Sequence, residues 1–198
     1  VMSDTPSQPA GPEAPAVPEA PPLPWADVQP EHCRMLRLAP LPTDRSTGAR
    51  PLRFVQFGYA ERNSKELSLL RLTVTLPGQR VRNEQNHLDV WVDHVTHRVR
   101  LSPERGLQVE PLNRGIGRFL LAQAAQWVQK KWSHYRIDGT DLPSRDALNE
   151  DSRLRRDHFL RVHGFDVVYA DAQFLKARIE DVQAGEILDS WNVEKLEF

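Results

Sequence analysis

The sequence predicts a mixed α/β fold in which helices flank one central sheet, and three observations favour it. The first half of the chain contains short stretches rich in Leu, Val, Phe and Thr that are bounded by Pro and Gly, as strands are. The second half alternates such stretches with segments whose apolar residues recur every three or four positions, as in amphipathic helices. No apolar run approaches the length of a membrane span.

The N-terminal segment differs in composition from the rest of the chain. In residues 1–30, Pro recurs every few positions, and large apolar side chains are few and lie mostly near the end. Such a segment buries too little surface to offset the entropy of ordering it, so it is predicted to be a disordered Pro/Ala-rich tail. Trp25 is the residue at which the chain is expected to begin contacting the fold. The folded domain is predicted over residues 31–198.

Strands are predicted throughout the first half of the domain. The stretches are residues 34–39, 52–59, 67–76 and 106–110, together with residues 88–101, which alternate as one or two half-buried strands with a turn near 94–97. Pro77-Gly78 and Pro111 are the stop signals after two of them. These strands can form an antiparallel meander.

Helices and strands alternate in the second half. A helix is predicted from about residue 115 to 132, a strand over 135–142, a helical stripe in the second half of 144–163 that ends at Gly164, a strand over 165–170 and a helix over 172–184. This β-α-β-α-β order favours parallel pairing around the first long helix.

Composition narrows the classes of function. The chain has 26 Lys and Arg against 27 Asp and Glu, whereas dedicated nucleic-acid binders usually carry a basic excess. Cys33 is the only cysteine, so neither an intrachain disulfide nor a cysteine zinc site is expected. The N-terminus lacks the basic region and apolar core of a secretory signal, so the cytoplasm is the expected location and no membrane partner is expected.

A glycine-containing turn is the strongest chemical signal in the sequence. Residues 107–121 read LQVEPLNRGIGRFLL, a short strand running into a turn that opens a helix. Gly115 and Gly117 remove side chains where a backbone has to approach a ligand, and the helix start offers free N–H groups for a pyrophosphate. Arg114 and Arg118 can add phosphate contacts. A tight turn without any ligand is the alternative interpretation.

Two motifs in this order resemble the GCN5-related N-acetyltransferase superfamily. The first is Val109-Glu110-Pro111 followed by the glycine turn, and the second is FLRVHGF at residues 159–165 with a strand after it. The resemblance implies a sheet that opens near Glu110 and acetyl-CoA-dependent N-acetylation of an amine whose identity is unknown. It also implies that the coenzyme pyrophosphate is held by Val109, Leu112, Asn113, Arg114, Gly115, Ile116, Gly117 and Arg118.

The sequence departs from that family at three positions. Leu112 stands where the family has Gln or Arg, Leu160 where it often has a tyrosine that protonates the CoA thiolate, and Arg153 where it has asparagine. A catalytically silent coenzyme-binding or protein-interaction module on the same fold is therefore the alternative prediction. A homodimer is compatible with either function.

Glu110 and Tyr169 are the predicted catalytic residues. Glu110 ends the predicted strand beside the turn and can act as a base, and Tyr169 can donate a proton. A solvated strand-edge charge and a core-edge aromatic are the respective alternatives. His94 and His97, with Asp93 beside them, are further candidate bases, although a surface hairpin tip also explains them. His87-x-Asp89 has no apparent third ligand, so no metal site is predicted.

Overall fold

The computed structural model describes residue 11 and residues 23–40, 53–78, 85–103, 107–112 and 114–198. Within these residues the chain forms eleven strands and two α-helices. In chain order they are β1 (His32–Leu38), β2 (Phe54–Asn63), β3 (Leu67–Thr75), β4 (His87–Asp93), β5 (Arg98–Ser102), α1 (Ile116–Trp132), β6 (Arg136–Ile137), β7 (Thr140–Asp141), α2 (Glu150–Val162), β8 (Val167–Tyr169), β9 (Ala177–Ile179), β10 (Val182–Gln183) and β11 (Leu196–Glu197). The fold class predicted from the sequence, a mixed sheet with flanking helices, is confirmed.

The strands form one large sheet and one small sheet. The large sheet has the order β10-β6-β5-β4-β3-β2-β1-β11, and the small sheet has the order β7-β9-β8. Strands β1 to β5 make the antiparallel meander that the sequence predicts. The β5–β6 pair is parallel, and α1 is the crossover between its two strands. A parallel pair requires such a crossover, so the change from meander to helix fixes where the parallel strand lies.

Helix α1 covers one face of the large sheet, here called the inner face. Its buried residues recur at three- and four-residue spacing, as the sequence predicts, and Phe119 is fully buried. The ring of Phe119 meets Phe57 of β2 edge-on, with ring centroids 5.0 Å apart. Alternate residues of β3 and β4 complete this core, among them Leu70, Leu72 and Val90. Burial of these side chains is the main stabilising contribution to the domain.

Residues 23–31, here called the strap, lie across the opposite face, the outer face. The Trp25 ring stacks on Trp91 of β4 with centroids 6.4 Å apart and planes inclined by 11°. At the other end of the strap, a Cβ added to Gly58 would come within 2.8 Å of Pro30. The expected contact of Trp25 with the fold is thus confirmed. The predicted tail boundary at residue 30 falls within a segment that packs on the sheet, and residues 1–10 and 12–22 lie outside the described residues.

The buried side chain of Arg71 fastens the strap to β3. Its Nη1 donates to the carbonyl oxygens of Trp25, Ala26 and Val28 at 3.0, 3.2 and 3.0 Å. Its Nε and Nη2 pair with the two carboxylate oxygens of Asp89 at 3.0 and 3.1 Å. Because Arg71 and Asp89 are only 9% and 8% exposed, these bonds form away from solvent.

The predicted helix over residues 172–184 is wrong. The Asp171 carboxylate accepts hydrogen bonds from the backbone N–H of Leu175 and Lys176, which turns the chain instead of continuing it. Strands β9 and β10 follow, and their buried residues alternate at a spacing of two, with Ala177 and Ile179 in β9. Pairing of β9 between β7 and β8 overrides the local helix preference of this segment.

Two further predictions about strands require correction. Of the predicted strand over 106–110, the described residues form only an isolated bridge at Gln108, which pairs with Gln85. The predicted strand over 135–142 divides into β6 and β7, which belong to different sheets. The division occurs at Gly139, whose N–H donates to the Asp181 carboxylate at 2.7 Å. Strand β8 pairs antiparallel with β9 in the small sheet, so it does not continue the parallel pairing that the sequence predicts.

Candidate functional site

A cavity of about 430 Å³ opens where strands β5 and β6 separate. The two strands pair only at Arg98–Arg136 and Val99–Ile137. Beyond that point β5 continues to Ser102, while the segment that follows β6 turns away at Gly139. A Cβ added at Gly139 would lie 2.3 Å from the Ile179 carbonyl oxygen. The separation is therefore built into the backbone, and the volume is within the range of small-molecule sites.

The walls of this cavity are largely apolar, with charged groups among them. Apolar lining comes from both sheets and both helices, including Leu101, Leu107, Leu121, Ile137, Leu142 and Phe159. The charged lining residues are Arg100, Arg145, Arg156, Asp138 and Asp146. Few polar groups in an apolar surround are typical of pockets that orient a bound organic molecule.

The glycine turn forms the start of α1, as predicted. Gly115 is the residue before the helix and has a φ of 84°, a conformation that favours glycine, and no side chain caps the first turn. Gly117 is half-buried behind the cavity wall, since a Cβ there would lie 3.6 Å from Val109, 3.7 Å from Leu107 and 3.8 Å from Phe159. The turn thus lies next to the cavity without lining it.

The other residues predicted to hold a coenzyme lie in different surroundings. Ile116 is buried in the core, Val109 is half-buried and the Leu112 side chain is 67% exposed. Asn113 lies outside the described residues. A backbone contact to a pyrophosphate does not require these side chains to share one surface.

The two arginines of the turn, Arg114 and Arg118, are largely shielded from solvent. Arg114 is 6% exposed, and its Nη2 donates to the carbonyl oxygen of Ala39 at 3.0 Å. Arg114 therefore connects the helix start to the end of β1. Arg118 is half-buried, and its buried Nε has no hydrogen-bond partner among the described residues. A buried donor without a partner is uncommon, so the Nε–H of Arg118 is a notable unused hydrogen-bond donor near this helix end.

Glu110 lies in a loop that Asn86 holds in place. The Asn86 side chain donates to the Glu110 carbonyl oxygen and accepts from its N–H, both at 2.8 Å. Asn86 is fully buried, whereas Glu110 is exposed and is not among the residues that line the cavity. Sequence analysis did not single out Asn86, because its role depends on a partner 24 residues away.

Tyr169 belongs to a buried polar cluster on α2 and β8. Its hydroxyl donates to the Asp157 carboxylate and accepts from Nη2 of Arg156 at 3.3 Å. Asp157 is 2% exposed and also accepts from Nε of Arg156 at 3.1 Å. Arg156, rather than Tyr169, lines the cavity. Neither Arg156 nor Asp157 could be recognised from the sequence, because in the pattern of α2 they resemble residues of a solvent-exposed polar helix face.

The candidate histidines of the hairpin lie at the opposite end of β4 and β5 from the cavity. His94 bridges Ser68 and Tyr135, with its Nε2 2.8 Å from the serine Oγ and its Nδ1 3.2 Å from the tyrosine hydroxyl. His97 is exposed and stacks on Tyr135. His87 contacts Asp89 at 2.8 Å. Among the residues that the structure describes, no group of three or more His, Cys, Asp or Glu is placed to hold a metal ion.

His163 is a buried histidine between the two helices. It is 2% exposed, its Nδ1 lies 2.7 Å from the carbonyl oxygen of Phe159, and its Nε2 has no partner among the described residues. Burial lowers the pKa of His163 below its ordinary value of 6.5, the bond to Phe159 opposes this, and the positive charge of Arg118 lowers the pKa further. The side chain is therefore neutral in the folded protein at neutral pH.

We expect the free energy of unfolding to fall as the pH drops below about 6.5, because His163 takes up a proton more readily in the unfolded chain. One proton contributes at most about 1.4 kcal/mol per pH unit. Urea denaturation at pH 7.5 and pH 5.0 measures the fall, and the His163→Gln variant should show a smaller one. Equal falls in both proteins would contradict this role for His163.

Searches of family models, of curated proteins and of solved structures each find no match for this chain. Among the described residues, neither helix combines the length and hydropathy needed to cross a bilayer. The cavity and the helix start beside it are therefore the features that bear on function.

Proposed function

We propose that this chain is an acetyl-CoA-dependent N-acetyltransferase that acts on an amine and has the sheet arrangement of the GCN5-related superfamily. The observation that carries the proposal is the opening between parallel strands β5 and β6, with the start of α1 next to it. In the resemblance drawn from the sequence, such an opening admits the pantetheine arm and the helix start holds the pyrophosphate. These two features support a proposal in which the opening takes the pantetheine arm and the helix start takes the pyrophosphate.

The start of α1 has the properties of an anion site. The N–H groups of Ile116, Gly117 and Arg118 have no partners within the helix, and no acidic residue lies in its first turn. The aliphatic part of the Lys195 side chain lies next to the turn, since a Cβ added at Gly115 would be 3.4 Å from the Lys195 Cβ and 3.7 Å from its Cδ. Arg118 supplies positive charge for a pyrophosphate.

The apolar cavity suits the other end of the coenzyme. Leu101, Leu107 and Leu121 offer surface for the pantetheine chain, and the exclusion of water protects the thioester from hydrolysis. In the reaction, a neutral amine attacks the acetyl carbonyl carbon, the new C–N bond forms and the C–S bond breaks. The amine loses a proton to a base, for which Glu110 stays the prediction, and the thiolate gains a proton, for which Tyr169 stays the prediction.

One observation favours the alternative of a catalytically silent coenzyme-binding module. Leu160, which stands where the superfamily often has a tyrosine that acts as the general acid, lines the cavity. The nearest predicted substitute, Tyr169, has its hydroxyl bonded to Asp157 and Arg156. A module of this kind would bind acetyl-CoA and release no free thiol.

Isothermal titration and a thiol-release assay test the proposal and separate it from the alternative. Acetyl-CoA should bind, and S-acetylpantetheine, which lacks the pyrophosphate, should bind at least tenfold more weakly because it does not reach the helix start. A panel of amines should then release CoA thiol. Absence of acetyl-CoA binding would overturn the proposal, whereas binding without thiol release for any amine would support the silent module.

A further inference from the structure

Arg156 lies in the cavity wall with its orientation already fixed. Its side chain is 13% exposed, and three contacts hold the guanidinium: Nε to Asp157 at 3.1 Å, Nη1 to the Pro143 carbonyl oxygen at 3.3 Å and Nη2 to the Tyr169 hydroxyl at 3.3 Å. A guanidinium has five N–H donors, so one on each terminal nitrogen is left for a ligand. Such a fork matches the two oxygens of a carboxylate.

Arg100 supplies positive charge that no acidic residue in the described part of the chain neutralises. The acidic residues of the cavity wall each have an arginine partner, since Asp138 pairs with Arg98 at 2.5 Å and Asp146 lies 3.9 Å from Arg145. Arg100 lines the same cavity and makes no ion pair with any residue in the described part of the chain. An anion that enters would therefore find a fixed fork at Arg156 and a second, solvent-exposed cation at Arg100.

We propose that this cavity takes an amine substrate that also carries a carboxylate, namely an amino acid with an apolar side chain, and that Arg156 binds the carboxylate. The apolar body of the substrate would contact Leu142, Leu160 and Phe165, which line the cavity as well. The surrounding apolar groups strengthen a charge pair by excluding water. This inference rests on the proposed function, because the amine has to be the acetyl acceptor.

The test compares two acceptors that differ only in the carboxylate, L-phenylalanine and phenethylamine. With the wild-type protein and saturating acetyl-CoA, kcat/KM should be at least tenfold higher for phenylalanine. Arg156→Gln should remove this preference, Arg156→Lys should keep part of it, and Arg155→Gln should leave it unchanged. Arg155 is a matched control because it is the adjacent, exposed arginine of α2, and its one side-chain hydrogen bond within the described residues goes to the Asp151 carbonyl oxygen.

A binding measurement keeps this inference separable from the proposed function. Titration of N-acetyl-L-phenylalanine should show binding to the wild type and at least a tenfold lower affinity for Arg156→Gln. If this result is obtained and no thiol is released with any amine, the carboxylate site is supported while the acetyltransferase proposal fails. Equal kcat/KM for the two acceptors in the wild type would overturn the inference. So would an Arg156→Gln variant that raises the KM for acetyl-CoA and keeps the preference, because Arg156 would then contact the coenzyme.

Discussion

Replacing Gly117 by aspartate is expected to abolish acetyl-CoA binding while leaving the domain folded. The substitution places a negative charge in the first turn of α1, where the pyrophosphate is proposed to bind. Two like charges about 4 Å apart repel each other by roughly 4 kcal/mol at an effective dielectric constant near 20, which corresponds to about a thousandfold loss of affinity. An acidic residue at a helix start is otherwise favourable for the helix.

Gly117→Asn and Gly117→Ala are the matched controls for this experiment. Asparagine has nearly the bulk of aspartate without the charge, and a Cβ at this position meets Val109, Leu107 and Phe159 at ordinary contact distances of 3.6–3.8 Å. Both control variants should therefore retain most of the binding measured by isothermal titration, and circular dichroism should show that all three variants fold. If the Gly117→Asp and Gly117→Asn variants bind acetyl-CoA equally well, no phosphate lies at this turn.

Removal of the Arg71 guanidinium is expected to lower the free energy of unfolding more than any other change considered. Arg71→Met leaves the buried Asp89 carboxylate without its two-pronged partner and leaves three strap carbonyl oxygens without their shared donor. Breaking a buried ion pair from one side typically lowers the free energy of unfolding by about 3–5 kcal/mol. Urea denaturation measures the loss, and tryptophan emission should change as Trp25 leaves Trp91.

Arg62→Met is the control for Arg71→Met. Arg62 also joins the sheet to the strap, through an ion pair with Glu31, but both side chains are substantially open to solvent. Exposed pairs contribute little to stability, so this variant should unfold at nearly the wild-type urea concentration. Equal destabilisation by the two substitutions would mean that the buried arrangement around Arg71 has no special role.

The elements that the sequence predicted well depend on local patterns. The α1 stripe that contains Phe119 arises from burial on one side, which periodicity reports directly. Strand β4 was predicted to be half-buried, but both of its faces are buried over Leu88–Val92, because the strap covers the outer face. The helix start at Gly115 is likewise a local feature. In contrast, the segment that forms β9 has helix-forming residues, and only its pairing with β7 and β8 makes it a strand.

The cavity and its arginines depend on contacts between distant parts of the chain. Gly139 separates β6 from β7 because the Ile179 carbonyl oxygen and the Asp181 side chain meet it from about 40 residues downstream. Arg156 acquires its orientation from Pro143 and Tyr169, which approach it only when α2 packs beside the small sheet. A single sequence carries no periodic signal for such contacts, so the glycine turn was predicted and the arginines that line the cavity were not.

The strap contacts of Arg71 have a consequence for which changes the segment tolerates. The guanidinium bonds to the main-chain oxygens of Trp25, Ala26 and Val28, and main-chain oxygens are the same for every amino acid. Side-chain identity at the exposed Ala26 and Asp27 is therefore free to change without loss of these hydrogen bonds. The number of residues between Trp25 and Pro30 is not free to change in this way. An insertion or deletion there would prevent Trp25 from stacking on Trp91 while Pro30 packs against Gly58.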